Sequence, residues 1–537
     1  MEVNRWLNVS SLPYMEVWGT SVWTWLGVIL IAAFFGVLNV LSQGAVLSII
    51  MLVGVGVIIV VSLLRPTVSL YLLVFLSLVV EQISDYYSWT FDLPYHKNLN
   101  NIHPRFSGIA INPLELHLAC IVVGMLLRFS LLKEKPVPVL VKAPLVAYVF
   151  AIIFFLLYGV VVNGGAMLPA MWEVRGIFYL FALMAIVPQL IRTRQQVLTM
   201  LWVLISALAF RAFEVTYHFA GGGFSLENKP GGWGSHEDAG LLASVMVFIG
   251  SLYLLKLGSI KQRVLLTLFL IPAMLAIIGS DRRTAYPVLA ACMVFVVVMM
   301  PGEFQRKALR IGWKLGILFA IYLAVFWNSR SDSILLMPVQ NIREGIAGDD
   351  QEAAGERYSS NLYRKAENYD LFNMIKSQPL LGHGYGVLID YRMPVPVQWE
   401  LGFYIPHNQV LGVFAKTGVV GFTIFLLFYF SVAARLARGF GELASKDYHR
   451  AILVLIGAGM INHIVYSFFD IMLTYYRNNV YLGVLFGLAG TIMAIRKQDQ
   501  EEAAPVAPAA PREEPHVQMH RLLQPHADDT GILKLGQ

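Results

Sequence analysis

Charge is scarce in this chain. Asp, Glu, Lys and Arg make up 14% of its 537 residues, where a soluble protein carries nearer ~25%. That argues against a secreted soluble enzyme and against a disordered scaffold. The formal net charge of +6 is no footprint of nucleic-acid binding, because the basic residues are scattered among apolar runs and not gathered into a patch. Cysteine is nearly absent. Cys120 and Cys292 both sit in apolar runs, so there is no disulfide framework and no metal-ligand spacing. No internal repeat is evident. What the chain does have is hydrophobic bulk: 57% apolar residues and a mean hydropathy of +0.63.

A bilayer-crossing helix needs ~20 mostly apolar residues, and about fourteen segments (12–14) qualify. They are 21–40, 44–64, 67–81, 113–132, 143–162, 174–191, 196–219, 238–257, 262–280, 284–300, 311–328, 408–434, 450–469 and 479–495. The expected fold is therefore all-α, a polytopic integral membrane protein. Residues 1–20 carry Arg5 and Glu16, and no small-residue cleavage site follows the first run; the first span is expected to be retained. Alternating the spans from a cytoplasmic N-terminus leaves roughly three Lys or Arg inside for each one in the short outer loops. That bias predicts an even span count with both termini inside.

The expected organisation is a membrane region over 1–328, a large outer loop over 329–407, a second membrane region over 408–496 and a tail over 497–537. Residues 82–112 and the glycine-rich 220–237 are too polar to span. Within the outer loop, Leu362, Ala366, Tyr369, Phe372 and Ile375 recur at helical spacing, which predicts an amphipathic helix from Asn361 to Ser377. The tail is rich in Pro, Ala and Glu and is expected to be disordered and cytoplasmic.

Ionisable groups at membrane depth are costly and mark functional candidates. The outer-facing set is Arg175, Arg211, Glu214, Asp281, Arg282, Arg283, Arg364, His383, His407, Asp470 and Arg477. Several arginines on one face suit an anionic ligand, since Arg binds phosphate bidentately and stays charged. Structural alternatives stand beside each. Arg211 and Glu214, three apart, read also as a self-neutralising pair. Arg364 could pair with Glu367 at i+3. Asn408 reads as a helix N-cap, His383 as lining a glycine turn, and Gly418 with Gly421 as a helix-packing pair.

Three segments carry the pattern that gives these residues a context. Arg364 precedes Pro379-Leu380-Leu381-Gly382-His383-Gly384-Tyr385-Gly386. His407-Asn408 then enters an apolar run containing Gly418-Val419-Val420-Gly421. Upstream lies the turn Ser280-Asp281-Arg282-Arg283. In this order the segments resemble the O-antigen ligase/polymerase superfamily of membrane glycosyltransferases, over roughly residues 230–425. The sequence departs from the family pattern by Asp281 inside the Ser-Arg turn, so either Arg282 or Arg283 is the family arginine. A second departure is Ser235-His236-Glu237-Asp238, where relatives often have an Asn-rich turn.

The resemblance implies a metal-independent enzyme, without cofactor, at the periplasmic face of a bacterial inner membrane. Its donor would be an oligosaccharide on undecaprenyl diphosphate. Its acceptor would be a growing glycan or a lipid A core, with a flippase and a chain-length regulator as protein partners. His407 is the expected catalytic base, with Arg282, Arg283, Arg364, His383, Arg211 and Asn408 as expected substrate-binding residues. Polymerisation of a surface polysaccharide, O-antigen or exopolysaccharide, is the first expectation, and ligation of finished glycan to lipid A core or protein the second. A transporter or flippase is the alternative of another class; it predicts repeated halves and broken midplane helices.

Overall fold

The computed structural model describes residues 46–81, 95–96, 111–225, 232–299, 302–329, 333–346, 358–392 and 400–503. Among these residues there are fifteen α-helices and no strand. In chain order they are α1 (Val46–Leu64), α2 (Pro66–Val79), α3 (Pro113–Leu132), α4 (Lys142–Leu157), α5 (Met167–Leu190), α6 (Arg194–Gly221), α7 (His236–Leu254) and α8 (Ile260–Gly279). They continue with α9 (Ala285–Met299), α10 (Gly302–Phe326), α11 (Met337–Ile346), α12 (Tyr358–Ser377), α13 (Gln409–Glu442), α14 (His449–Tyr466) and α15 (Tyr476–Ala503).

Ten of these helices are long and apolar enough to cross a membrane, and three shorter apolar helical stretches, Val53–Leu64, Pro66–Val79 and Ala285–Val298, accompany them. Together they occupy every expected span from 44–64 onward, and the protein is a polytopic all-α membrane protein. The expected span 21–40, most of the 82–112 loop and the tail beyond Ala503 lie outside the described residues. The chain divides into two units. The larger, Met1–Ile495, holds the bundle. The other, Arg496–Gln537, is described over 496–503, which are helical and not the unstructured start expected at 497. A Lys497–Glu501 ion pair at 3.5 Å, one helical turn apart, supports that segment.

Local chemistry starts several helices where they start. Asn112 caps α3 through a reciprocal box with Glu115, and Thr193 caps α6 through one with Gln196. The innermost helices are α14 and α15, buried nearly all round. By contrast α10 presents Trp313, Leu318 and Val325 outward, the pattern of a lipid-facing span.

Helix α12 forms where the spacing predicts it, but its buried face is different. Ala366, Glu367, Asp370, Leu371 and Met374 point inward, whereas Leu362, Tyr369 and Phe372 are exposed. The buried face thus combines two carboxylates with apolar side chains.

At the same end of the bundle lies a sealed ionic cluster. Arg211 on α6 pairs with Glu214 one turn on, with Glu81 at 2.7 Å and with Asp238 of α7 at 2.7 Å. Arg477 on α15 donates to Asp238 at 2.6 Å and to Ser235 Oγ at 2.6 Å. Asp238 also accepts from the Ser235 N–H at 3.0 Å. These side chains are at most 1% exposed, and each guanidinium is matched by carboxylates, as burial requires.

Candidate functional site

The loop after α12 is the scaffold of the site. Gly382, Gly384 and Gly386 all have positive φ, a conformation that favours glycine. A Cβ on Gly384 would lie 2.2 Å from the Cα of Gly159, at a π-helical turn (Tyr158–Val162) that closes α4. Gly418 interrupts α13 with φ 59° and ψ −169°, and a Cβ there would meet the Leu380 carbonyl at 2.3 Å. Backbone hydrogen bonds fill the notch: Val419 N–H to Pro379 O at 2.9 Å, His383 N–H to Ala415 O at 3.0 Å and Gly384 N–H to Lys416 O at 2.7 Å. Gly386 N–H reaches buried Glu173 at 2.7 Å, and Lys416 joins Val387 O and Glu173. The glycines of both motifs thus lock the loop into a kinked membrane helix.

His407 ends the outer loop one residue before Asn408, whose side chain accepts from Leu411 N–H at 3.1 Å and caps α13. Its Nδ1 lies 3.2 Å from Glu367 Oε1, and its N–H donates to Glu367 Oε2 at 2.9 Å. The Tyr363 ring stands edge-on to the imidazole at 5.2 Å. The imidazole is 29% exposed against 1% for Glu367. Among the described residues no hydrogen bond engages Nε2.

Across from it, His236 at the start of α7 bonds Asp470 at 2.5 Å. Asp470 lies in the turn between α14 and α15. Burial alone would push its carboxyl up. The charge and hydrogen bond of His236, with the charges of Arg282 and His407, outweigh that and hold it well below the usual carboxylate range. The charges of Arg282 and His407 both act on His236 and on Asp470.

The expected site residues therefore separate. Arg282 joins the His407 group. Arg283 donates to Glu344 O at 3.3 Å and Asn361 Oδ1 at 3.0 Å, tying its turn to α11 and α12. Arg364 is half-buried on the helix that carries Glu367, and among the described residues no hydrogen bond or ion pair engages it. Its expected i+3 partner, Glu367, is turned to His407 instead. His383 turns Nε2 to Met374 O and Ser377 Oγ, both at 3.0 Å. Arg211 lies in the sealed cluster, 1% exposed and surrounded by carboxylates. Arg175 is likewise committed, to Glu115 at 2.5 Å.

His236 and Glu367 carry no signal in the sequence that connects them to His407; Glu367 is 40 residues away and reaches it only through the fold. Among the described residues no group of three or more His, Cys, Asp or Glu is arranged to hold a metal ion.

Residues 265–426, from α8 into α13, match the family model described as O-antigen ligase. The match supports the O-antigen ligase/polymerase resemblance carried by the motifs. No curated protein matches the chain.

Proposed function

We propose that this O-antigen-ligase-like membrane protein is a glycosyltransferase acting at the periplasmic face of a bacterial inner membrane. Its donor is a glycan on undecaprenyl diphosphate. The reading rests on one observation: His407 has Nδ1 against Glu367 and, among the described residues, no hydrogen bond at Nε2, and Asp470 senses the charges of both His407 and Arg282.

The reaction follows from those groups. The acceptor hydroxyl attacks the anomeric carbon of the donor sugar. Nε2 of His407 takes the hydroxyl proton as the new glycosidic bond forms. The bond to the lipid diphosphate breaks, and its electron pair leaves on the phosphate oxygen. Arg282 and Arg364 stabilise that charge as it develops. Arg283 and His383 hold the turns that present these groups, Asn408 sets the start of α13, and Arg211 stays structural. The arginines supply the positive charge, so no metal is needed.

Polymerisation of repeat units is the first reading, toward which the long outer loop and the number of spans lean. Ligation to lipid A core or protein is the second, favoured by the family description of residues 265–426. The test is product formation in membranes loaded with the lipid-linked donor. His407→Ala should lose about 10²–10⁴-fold in rate, the usual contribution of a positioned base. Insertion and abundance should stay at the parental level, and chelator should not slow the parent. A well-inserted His407→Ala protein keeping more than about half the parental rate would falsify this mechanism.

A further inference from the structure

We propose that Glu367 is the positioning residue of the reaction: from the loop helix α12 it fixes the orientation and the tautomer of His407. The inference deepens the function proposed above and rests on it. Three contacts converge on this one carboxylate. Oε2 accepts the N–H of His407 at 2.9 Å and that of Asn408 at 3.4 Å, and Oε1 faces Nδ1 at 3.2 Å. Glu367 is wholly buried, and none of these contacts is local: they cross 40 and 41 residues of chain.

The chemistry follows from what a carboxylate can do. It only accepts hydrogen bonds. Against it, the neutral imidazole keeps its proton on Nδ1 and leaves the Nε2 lone pair open. That is the tautomer a base needs at Nε2. The two backbone contacts fix where the first residue before α13 enters the site, so one side chain sets both the position of the imidazole and the side that reacts. Tyr363 limits ring rotation from the edge at 5.2 Å. The outer loop is thereby coupled to catalysis: α12 must be seated before His407 is competent.

Glu367→Gln is the discriminating change. It is nearly isosteric, and its carbonyl oxygen can still accept both backbone N–H groups. Its amide nitrogen then replaces Oε1 opposite Nδ1. An NH₂ group donates, so it favours the opposite tautomer and puts the proton on Nε2. The remaining groups that bear on the imidazole are Tyr363 from α12, Asp470 from the α14–α15 turn, His236 from α7 and Arg282 from the α8–α9 turn. All of them are unchanged in this variant.

Two readouts are needed. The first requires no substrate. Parent, Glu367→Gln and Glu367→Asp, each in phospholipid nanodiscs, are treated with diethyl pyrocarbonate across pH 5–9, and acylation of His407 is followed by peptide mass spectrometry. Glu367→Gln should label His407 about tenfold more slowly on the high-pH plateau, because the Nε2 lone pair is then blocked by a proton. Glu367→Asp, which keeps the acceptor, should restore part of the plateau rate. The second readout is turnover in native membranes with their own lipid-linked glycan pool. Glu367→Gln should lose on the order of 10²–10⁴-fold in kcat with KM little changed, the size expected for a base held in the wrong tautomer.

Parental labelling of His407 in Glu367→Gln overturns this inference alone, whatever the activity. Parental activity in His407→Ala overturns the function proposed above together with it. If Glu367→Gln accumulates poorly, Glu367→Asp decides. A well-inserted Asp variant with no more activity than His407→Ala would overturn the inference, and partial rescue would support it.

Discussion

Two groups of charged residues occupy the same end of the helix bundle and are built from the same residue types. One, around Arg211, Arg477 and Asp238, is sealed: its guanidiniums are matched by carboxylates at 2.6–2.7 Å and no side chain exceeds 1% exposure. The other, around His407, Glu367, His236 and Asp470, is open, with Arg364 one turn before Glu367 on α12. Its imidazole is partly exposed, and among the described residues no protein group engages Arg364. The difference is one of closure. In the sealed cluster carboxylates outnumber arginines, so no positive charge is left for a ligand. In the open one Glu367 faces His407 and Asp470 faces His236, and the charges of Arg282 and His407 both act on Asp470. Sealed and partly exposed charge thus lie within a few residues of chain. Ser235 and Asp238 belong to the sealed group while His236, between them, belongs to the open one.

The sharpest way to break that comparison is to remove one member from each cluster. Arg477→Ala leaves Glu81, Glu237 and Asp238 facing one another in a buried site, and should cost about 3–5 kcal/mol, the usual penalty for breaking a buried pair. Arg364→Ala should leave abundance and melting temperature at the parental level and lower turnover instead. Thermal melts in detergent, run beside the membrane assay, separate the two. Parental stability in Arg477→Ala would remove the distinction.

A smaller effect separates the two adjacent arginines. Arg282→Ala should lose roughly 10–100-fold in turnover with a normal melt, and Arg282→Lys should recover only part, since Lys is a point donor. Arg283→Ala should act through the loop: it frees Glu344 O and Asn361 Oδ1, so protease sensitivity over α11–α12 should rise. The reverse assignment would follow if Arg283→Ala lost turnover while α11–α12 stayed protected.

The smallest effect concerns pH. The carboxyl of Asp470 is held below its unfolded value. It therefore contributes stability above the ordinary carboxylate range, and that contribution is lost as pH falls through it. Asp470→Asn should melt below the parent at pH 7, and the gap should close on descent below about pH 4. A gap independent of pH would show that Asp470 acts by shape and not by charge.

Much of this was legible in the chain, for physical reasons. A bilayer accepts only helices of ~20 apolar residues, so composition located every described span from 44–64 onward. The motif from Arg364 to Gly421 falls within the segment that matches the family model, and Asn408 is the cap its residue type predicts, because N-cap chemistry is local. Hydropathy predicts α12 from Leu362, Ala366, Tyr369, Phe372 and Ile375; of these Ala366 is buried, Leu362, Tyr369 and Phe372 are exposed, and the buried face also carries Glu367 and Asp370. Their value lies in what they meet, and hydropathy does not weigh that.

The arginines make the same point. Arg211, Arg282, Arg283 and Arg364 are indistinguishable as residue types at membrane edges, and local spacing suggested pairs that the fold rearranged. Arg364 lost Glu367 to His407, and Arg211 gained Glu81 from 130 residues away. What the sequence by itself determined was the solvent each segment requires, and with it the spans, the caps and the glycine turns. These depend on hydrophobicity and on backbone geometry, which are properties of neighbours in the chain. Which charge is sealed and which stays open was decided only in the tertiary structure, because a buried charge is defined by partners that the chain brings from far away.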